Sequence, residues 1–366
     1  MKIKMRLTLF LLVTFNCVVA QQSDTLLTRI LALHNDTEKV NQLYKKGFSL
    51  RNSDPRLAFY YANLCEEQAQ ISESKKHLAK SYNLLGVLFY KKGDFTKALA
   101  YHQKALILRK ESKDRAGVAL SQTNLGNIYT DLQLFEKAEN SYLKALEIFR
   151  ATGDEKRVAD CLINLGVLKQ TLKQNEAAFE NYGLALKLAE KLNDYEMRSL
   201  CLNNMAQVFF DKGNYEKSVA YNEDALKIRN MMDNNLEVAD SYLNLASNFI
   251  NLKDFEKARE DLDTAYAISS RYQYYEAMQT AFKIYSEYYS ALKNYEEAYS
   301  WLKKYELSKD SIVAEQSARD AEFDFEIPET SGHTYKPQQQ LYNLWLLISV
   351  FSLLIFIPLI FIRFKR

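Results

Sequence analysis

The chain has 366 residues, with 48 Lys and Arg against 46 Asp and Glu and a formal net charge of +2. Opposite charges are interspersed, so no polyanion-binding surface organises the sequence and nucleic acid is not expected as a partner. With 10 glycines and 4 prolines, the composition suits helices and argues against a loop-rich secreted scaffold.

Residues 1–20, MKIKMRLTLFLLVTFNCVVA, predict a secretory signal peptide. Lys2, Lys4 and Arg6 form a positive start, Leu7 to Phe15 an apolar run too short to span a bilayer, and Val18 with Ala20 a small-residue cleavage site. Lipidation at Cys17 is disfavoured because TFNC lacks a small residue before the cysteine. Residues 21–37 form an N-terminal segment. From 38 to 301 the sequence repeats with a period of 40 residues, giving about seven units. Small residues recur at Gly86, Gly126, Gly166, Ala206 and Ala246, then at Ala98, Ala138, Ala178, Ser218 and Ala258, then at Ala105, Ala145, Ala185, Ala225 and Ala265.

Small residues at fixed register let two antiparallel helices approach closely, while Leu85, Leu125 and Leu165 fill the space beside them. Tyr101, Tyr142 and Tyr182 are expected to add apolar surface with a hydroxyl at the rim. Turns are expected at KKGDF and DKGNY, around Gly93 and Gly213, and polar linkers between units at KESKDRAG and RATGDEKR. One hairpin cannot bury its apolar face alone, so neighbouring units must stack into a continuous core. A divergent first unit is predicted with helices near 38–50 and 55–70, and an atypical seventh keeps Tyr285, Tyr295 and Ala298 in register. Cys161 and Cys201 lie one repeat apart at the same position and read as packing residues, beyond disulfide reach.

Residues 302–326 predict a capping helix, 327–340 a juxtamembrane linker, 341–362 a transmembrane helix, and 363–366 a basic cytoplasmic tail. The apolar stretch is long enough to cross, Tyr342 and Trp345 suit one interface, and Arg363, Lys365 and Arg366 place the other side in the cytoplasm. The repeat region would then be extracytoplasmic, in the periplasm of a bacterium, in agreement with an exported N-terminus.

Asn124-Leu125-Gly126, Tyr129, Gly93-Asp94-Phe95 and Lys104-Ala105-Leu106 carry a resemblance to the tetratricopeptide repeat family, in a 40-residue form. The resemblance implies an all-α, right-handed solenoid of helical hairpins, to which the C-terminal transmembrane helix is added. It also implies a groove lined by first-helix residues three before, one after and four after the small position. These are Asn83, Val87 and Tyr90; Thr123, Asn127 and Thr130; Ile163, Val167 and Gln170; Asn203, Gln207 and Phe210; and Leu243, Ser247 and Ile250. The spacing places each trio on one helical face. Such a face either takes an extended peptide or partner helix, or is an ordinary solvated or self-packed surface. The family's basic carboxylate clamp is missing, and the recurring Asn124, Asn164, Asn204 and Asn244 read as hydrogen-bonded within the stack.

No catalytic constellation stands out. His34, His77, His102 and His333 lack metal-ligand spacing, and no phosphate loop or serine elbow is present. Neither enzyme activity, metal nor cofactor is expected. The whole architecture resembles the sensor half of bacterial membrane proteins, common in Bacteroidota, that join such a repeat region to a histidine kinase or DNA-binding output. With a short tail after the span, the expectation is a membrane-anchored receptor or adaptor that binds a protein or peptide, contacts lipid through its last helix, and passes the event to a separate kinase or regulator. A scaffold or assembly factor for envelope complexes is the alternative. The oligomeric state is left open.

Overall fold

A computed structural model describes residues 26–309. Its helices are α1 (Asp36–Leu50), α2 (Pro55–Ile71), α3 (Lys75–Lys91), α4 (Phe95–Glu111), α5 (Arg115–Asp131), α6 (Phe135–Thr152), α7 (Glu155–Thr171), α8 (Asn175–Lys191), α9 (Tyr195–Asp211), α10 (Tyr215–Met231), α11 (Asn235–Leu252), α12 (Phe255–Tyr272) and α13 (Tyr275–Ala291). Residues 26–31 and 295–309 are also helical, and among the described residues there is no strand. Consecutive helices pack as antiparallel hairpins that stack on one another, so this region is an all-helical repeat solenoid.

The 40-residue unit is built from two nearly equal halves, because helix ends recur every 20 residues. Each turn from the end of α2 onward places one residue at positive φ, followed by the N-cap of the next helix. Gly93 (φ +80°), Gly153 (+71°) and Gly213 (+73°) occupy the left-handed position in three turns. Lys113, Gln133, Lys173, Lys253 and Lys293, among others, occupy it elsewhere. The backbone closes the same way in both cases, with Asp94 N–H donating to Phe89 O at 2.9 Å and Asp114 N–H to Arg109 O at 2.9 Å, a Schellman-type stop. The next residue starts the following helix: Asp94, Asp114, Asp154, Asp194, Asn214 and Asp254 each accept from the backbone N–H three residues on. KESKDRAG and RATGDEKR are therefore not extended linkers. Lys110 and Glu111 end α4, Arg115 begins α5, and only Ser112–Asp114 turn between them. A single αL residue followed by a side-chain cap does the work assigned to a longer segment.

The small residues are explained by what faces them. A Cβ placed on Gly86 would stand 2.7 Å from His102 Nε2, on Gly126 2.7 Å from Tyr142 Cδ1, and on Gly166 2.7 Å from Tyr182 Cδ1. The residues at that register in the next two units are Asn222 and Leu262, and there the small position becomes Ala206 and Ala246. Glycine is thus retained where a second-helix ring lies flat on the first helix. These rings are not at the rim: Tyr182 is fully buried and Tyr142 nearly so. Tyr101 belongs to another column, one residue before His102, where its ring stacks on Phe89 at 5.4 Å.

The first unit's helices, α1 and α2, match the predicted spans closely. Residues 302–309 continue the helix that begins at 295; the remainder of the expected capping helix, the linker, the membrane-spanning stretch, the basic tail and the signal peptide all lie outside the described residues. Among those described, no helix is long and apolar enough to cross a membrane.

Candidate functional site

The face predicted to line a groove runs along α3, α5, α7, α9 and α11, and its three registers behave differently. At the first, Asn83, Ile163 and Leu243 are buried, while Thr123 and Asn203 are half-buried. At the second, Val167 and Gln207 are exposed, and Val87, Asn127 and Ser247 half-buried. At the third, Tyr90, Thr130, Gln170, Phe210 and Ile250 are all half-buried; Tyr90, Thr130, Gln170 and Phe210 contact the second helix of their own unit.

Hydrogen bonds tie much of this face to the stack. Tyr142 Oη donates to Asn127 Oδ1 at 2.8 Å and lies 3.3 Å from Thr130 Oγ1. Tyr182 Oη donates to Gln170 Oε1 at 3.0 Å, while Gln170 Nε2 donates across to Asp211 Oδ2 at 2.8 Å. Gln207 Nε2 reaches the other Asp211 oxygen at 2.9 Å. Burial and a hydrogen bond to Asp131 push the Tyr90 phenol up, and Phe210 packs edge-on against Tyr215 at 5.3 Å. Val87, Tyr90 and Asn127 come together with His102 and Asn124 around a pocket of about 30 Å³, on the scale of water and not of a side chain. His102 is buried, which pushes its imidazole down to about 4, so it is neutral at physiological pH and leaves the pocket uncharged.

Two buried arginines, not anticipated from the sequence, hold the polar part of the site. Arg109 is 7% exposed and Arg229 4%. Arg109 Nη1 donates to Gly117 O at 3.0 Å, Ser121 Oγ at 2.8 Å and Asn83 Oδ1 at 3.4 Å. Arg229 Nη1 makes the same contacts 120 residues later, with Glu237 O at 3.2 Å, Ser241 Oγ at 2.7 Å and Asn203 Oδ1 at 3.4 Å. Asn124 Nδ2 donates to Asn83 Oδ1 at 3.0 Å and Asn244 Nδ2 to Asn203 Oδ1 at 2.9 Å, so these two members of the asparagine column do bond within the stack. Burying a guanidinium is tolerable only with its donors used in this way. The signal was readable: Asn83, Arg109 and Ser121 recur together at Asn203, Arg229 and Ser241, whereas the intervening units have Thr123, Phe149 and Cys161, then Ile163, Ala189 and Cys201. The latter cysteines are free and buried, with thiols pushed up to about 11 and about 12 by burial, as packing residues should be.

Beside Arg229 the face opens into a cleft of about 370 Å³, lined by Leu200, Asn203, Arg229, Glu237, Asp240, Leu243, Asn244 and Thr280. It unites two predicted groove residues, Asn203 and Leu243, with a register the prediction omitted, six residues before the small position: Leu200, Asp240 and Thr280 recur at steps of 40. Leu200 is 41% exposed and supplies an apolar wall. Arg229 Nε stands 3.1 Å from Glu237 Oε2, which balances the guanidinium. Burial pushes the Asp240 carboxyl up, Arg229 opposes that rise, and Glu237 and Glu276 add to it. The cleft therefore offers amide and carboxylate partners beside an apolar wall, with one carboxylate more than its single cation balances. It suits a neutral or cationic group. Among the described residues no group of three or more His, Cys, Asp or Glu is arranged to hold a metal.

Models of the tetratricopeptide repeat match residues 77–151, 117–191, 157–231 and 239–272. No curated protein matches the sequence. Among solved structures, the apo form of RapI aligns with a TM-score of 0.61 at 16% identity, covering 75% of this chain and 99% of that one. NprR, in complex with its cognate peptide NprX, aligns at 0.56 and 18% identity over 91% of this chain and 94% of its own. Aspartyl phosphate phosphatase F from Bacillus subtilis aligns at 0.51 and 16% identity, over 76% and 95%. At these identities the likeness is one of fold. The repeat models together cover more than half of the sequence, and the chain belongs to the tetratricopeptide repeat family.

Proposed function

We propose that this chain is a peptide- or protein-binding adaptor whose ligand lies along the first-helix face, across Val167, Gln207 and the cleft beside Arg229. The observation that carries the reading is that cleft, where hydrogen-bonding groups already held by a buried network stand beside exposed apolar surface. Pre-positioned polar groups next to apolar walls are what fixes a ligand's register without a large ordering cost. The fold likeness to NprR, solved with a peptide bound, is consistent with it. We further propose that residues 341–362 anchor the adaptor in a bacterial inner membrane, with the repeat region in the periplasm, and that a separate kinase or regulator takes the signal onward.

The test is capture of crosslinked partners from native membranes. The wild type is compared with a Val167→Lys, Leu200→Lys variant, which changes exposed side chains and leaves the core untouched. A partner lost from the variant supports the reading, and identification of that partner as an envelope-assembly component would favour the scaffold role over signalling. Partners unchanged by the variant overturn the assignment of this face. A tag after residue 366 that is reached by protease in intact spheroplasts would overturn the orientation.

A further inference from the structure

Glu237 and Asp240 both line the cleft beside Arg229, one helical turn apart on α11, where like charges repel. The same two positions on α7, 80 residues earlier, hold Arg157 and Asp160, and there Arg157 Nη1 donates to Asp160 Oδ2 at 3.4 Å. Burial pushes the Asp160 carboxyl up, and Arg157 and Lys156 oppose that rise. At Asp240 the guanidinium has become Glu237 and the ammonium Leu236. Arg229 opposes burial at Asp240, while Glu237 and Glu276 add to it. Arg229 is already engaged, with Nε 3.1 Å from Glu237 Oε2 and Nη1 on three neutral acceptors. Among the described residues Asp240 has neither a hydrogen-bond nor an ion-pair partner. The first arginine network has the opposite charge: Leu200, Arg229, Glu237 and Asp240 stand where it has Lys80, Arg109, Gly117 and Leu120, so two cations without a carboxylate become one cation with two carboxylates. A half-buried carboxylate without a donor and beside a like charge costs stability, and local conflicts of this kind gather at functional sites.

We propose that the cleft beside Arg229 takes a basic side chain of the bound partner, its cation on Asp240 and Glu237 and its stem along Leu200 and Leu243. This rests on the peptide-binding reading and names its side-chain specificity. The partner supplies at Asp240 the cation that the chain itself supplies at Asp160. Lysine and arginine carry an aliphatic stem beneath a charged head, which matches an apolar wall beside carboxylates: Leu200 is 41% exposed and lines the same cleft as Asp240. At about 370 Å³ the cleft is within the usual size of ligand pockets, about 300–1,000 Å³. Glu237 and Asp240 reject an acidic side chain or a terminal carboxylate by like charge, and an apolar side chain leaves Asp240 without a donor.

Saturation-transfer NMR on the full-length protein in non-ionic detergent tests this with two soluble probes, N-acetylargininamide and N-acetylcitrullinamide, alike in shape but cationic and neutral respectively. A hydrogen bond to a charged group predicts that the arginine probe binds more tightly by a factor on the order of ten or more. Asp240→Asn removes the unpaired carboxylate with little change of shape and should abolish that preference. Leu200→Lys, at an exposed position, recreates the Lys80 of the first network, supplies an internal ammonium and should do the same; circular dichroism verifies that each variant is folded. Equal binding of the two probes to the wild type, no binding of either, or a preference that persists in either folded variant overturns the proposal. The groove reading is judged separately by partner capture, and a partner lost from the Val167→Lys, Leu200→Lys variant would uphold it even if neither amide probe bound.

Discussion

Gly166→Ala is the most direct probe of how the stack is held together. The added Cβ would meet Tyr182 at 2.7 Å from Cδ1 and 2.9 Å from Cζ, and still closer to Cε1. Tyr182 is fully buried and its hydroxyl is tied to Gln170 at 3.0 Å, so the ring cannot swing aside cheaply. Overpacking of this kind costs about 1–3 kcal/mol, while replacing glycine by alanine inside a helix returns about 1 kcal/mol. The net expectation is a loss of up to about 2 kcal/mol, read as a fall in Tm of up to about 4–8 °C by circular dichroism at 222 nm. In a Tyr182→Leu background the same change should become favourable, because it recreates the Ala246 and Leu262 pair that the chain already uses. The diagnostic is the coupling between the two substitutions. An equal effect of Gly166→Ala in both backgrounds would refute the ring-on-glycine account.

Three further outcomes follow from the same geometry. Lys173→Gly should raise stability by about 1 kcal/mol, since Lys173 sits at φ +59° where a Cβ is unfavourable; thermal unfolding measures it, and a loss would show that the lysine side chain matters. Stability should fall as pH drops from about 6.5 to about 4, because the unfolded imidazole of His102 takes up a proton over that window while the buried one does not. His102→Leu should flatten this part of the curve, and because Asp261, pushed up to about 6 by burial and by Glu260 and Glu223, is common to both proteins, the difference isolates His102. Arg229→Met strands the Ser241 hydroxyl and the Glu237 carbonyl and should cost about 2 kcal/mol or more in urea unfolding; Arg229→Lys should not restore it, because one ammonium cannot meet both the acceptors facing Nη1 and the Glu237 carboxylate facing Nε.

The helical pairing was legible because it depends on local chemistry repeated in register: small residues at one position and Leu beside them specify close helix contact wherever the chain folds. The 20-residue half-period was harder to see, because from the end of α2 onward the left-handed turn position is filled by glycine only at Gly93, Gly153 and Gly213 and by Lys, Gln, Asn, Asp or Glu at nine other turns. Backbone hydrogen bonding enforces a conformation there that the residue type does not announce. Val167 and Gln207 were named through the family resemblance, their spacing placing them on one helical face, but the cleft depends on Arg229, which a sequence reading assigns to the solvated surface like any other arginine. Only the joint recurrence of Asn, Arg and Ser at 120 residues marks it as buried.

Site-specific photocrosslinking bears most directly on whether this chain is a binding module that works through its first-helix face. A photoreactive amino acid is placed in turn at Val167 and Gln207 on that face, and at Leu143 and Leu184, which are exposed on second helices. Partner adducts from Val167 and Gln207, with none from Leu143 and Leu184, are the predicted result. Adducts confined to Leu143 and Leu184 would contradict it and move the binding surface to the opposite side of the hairpins.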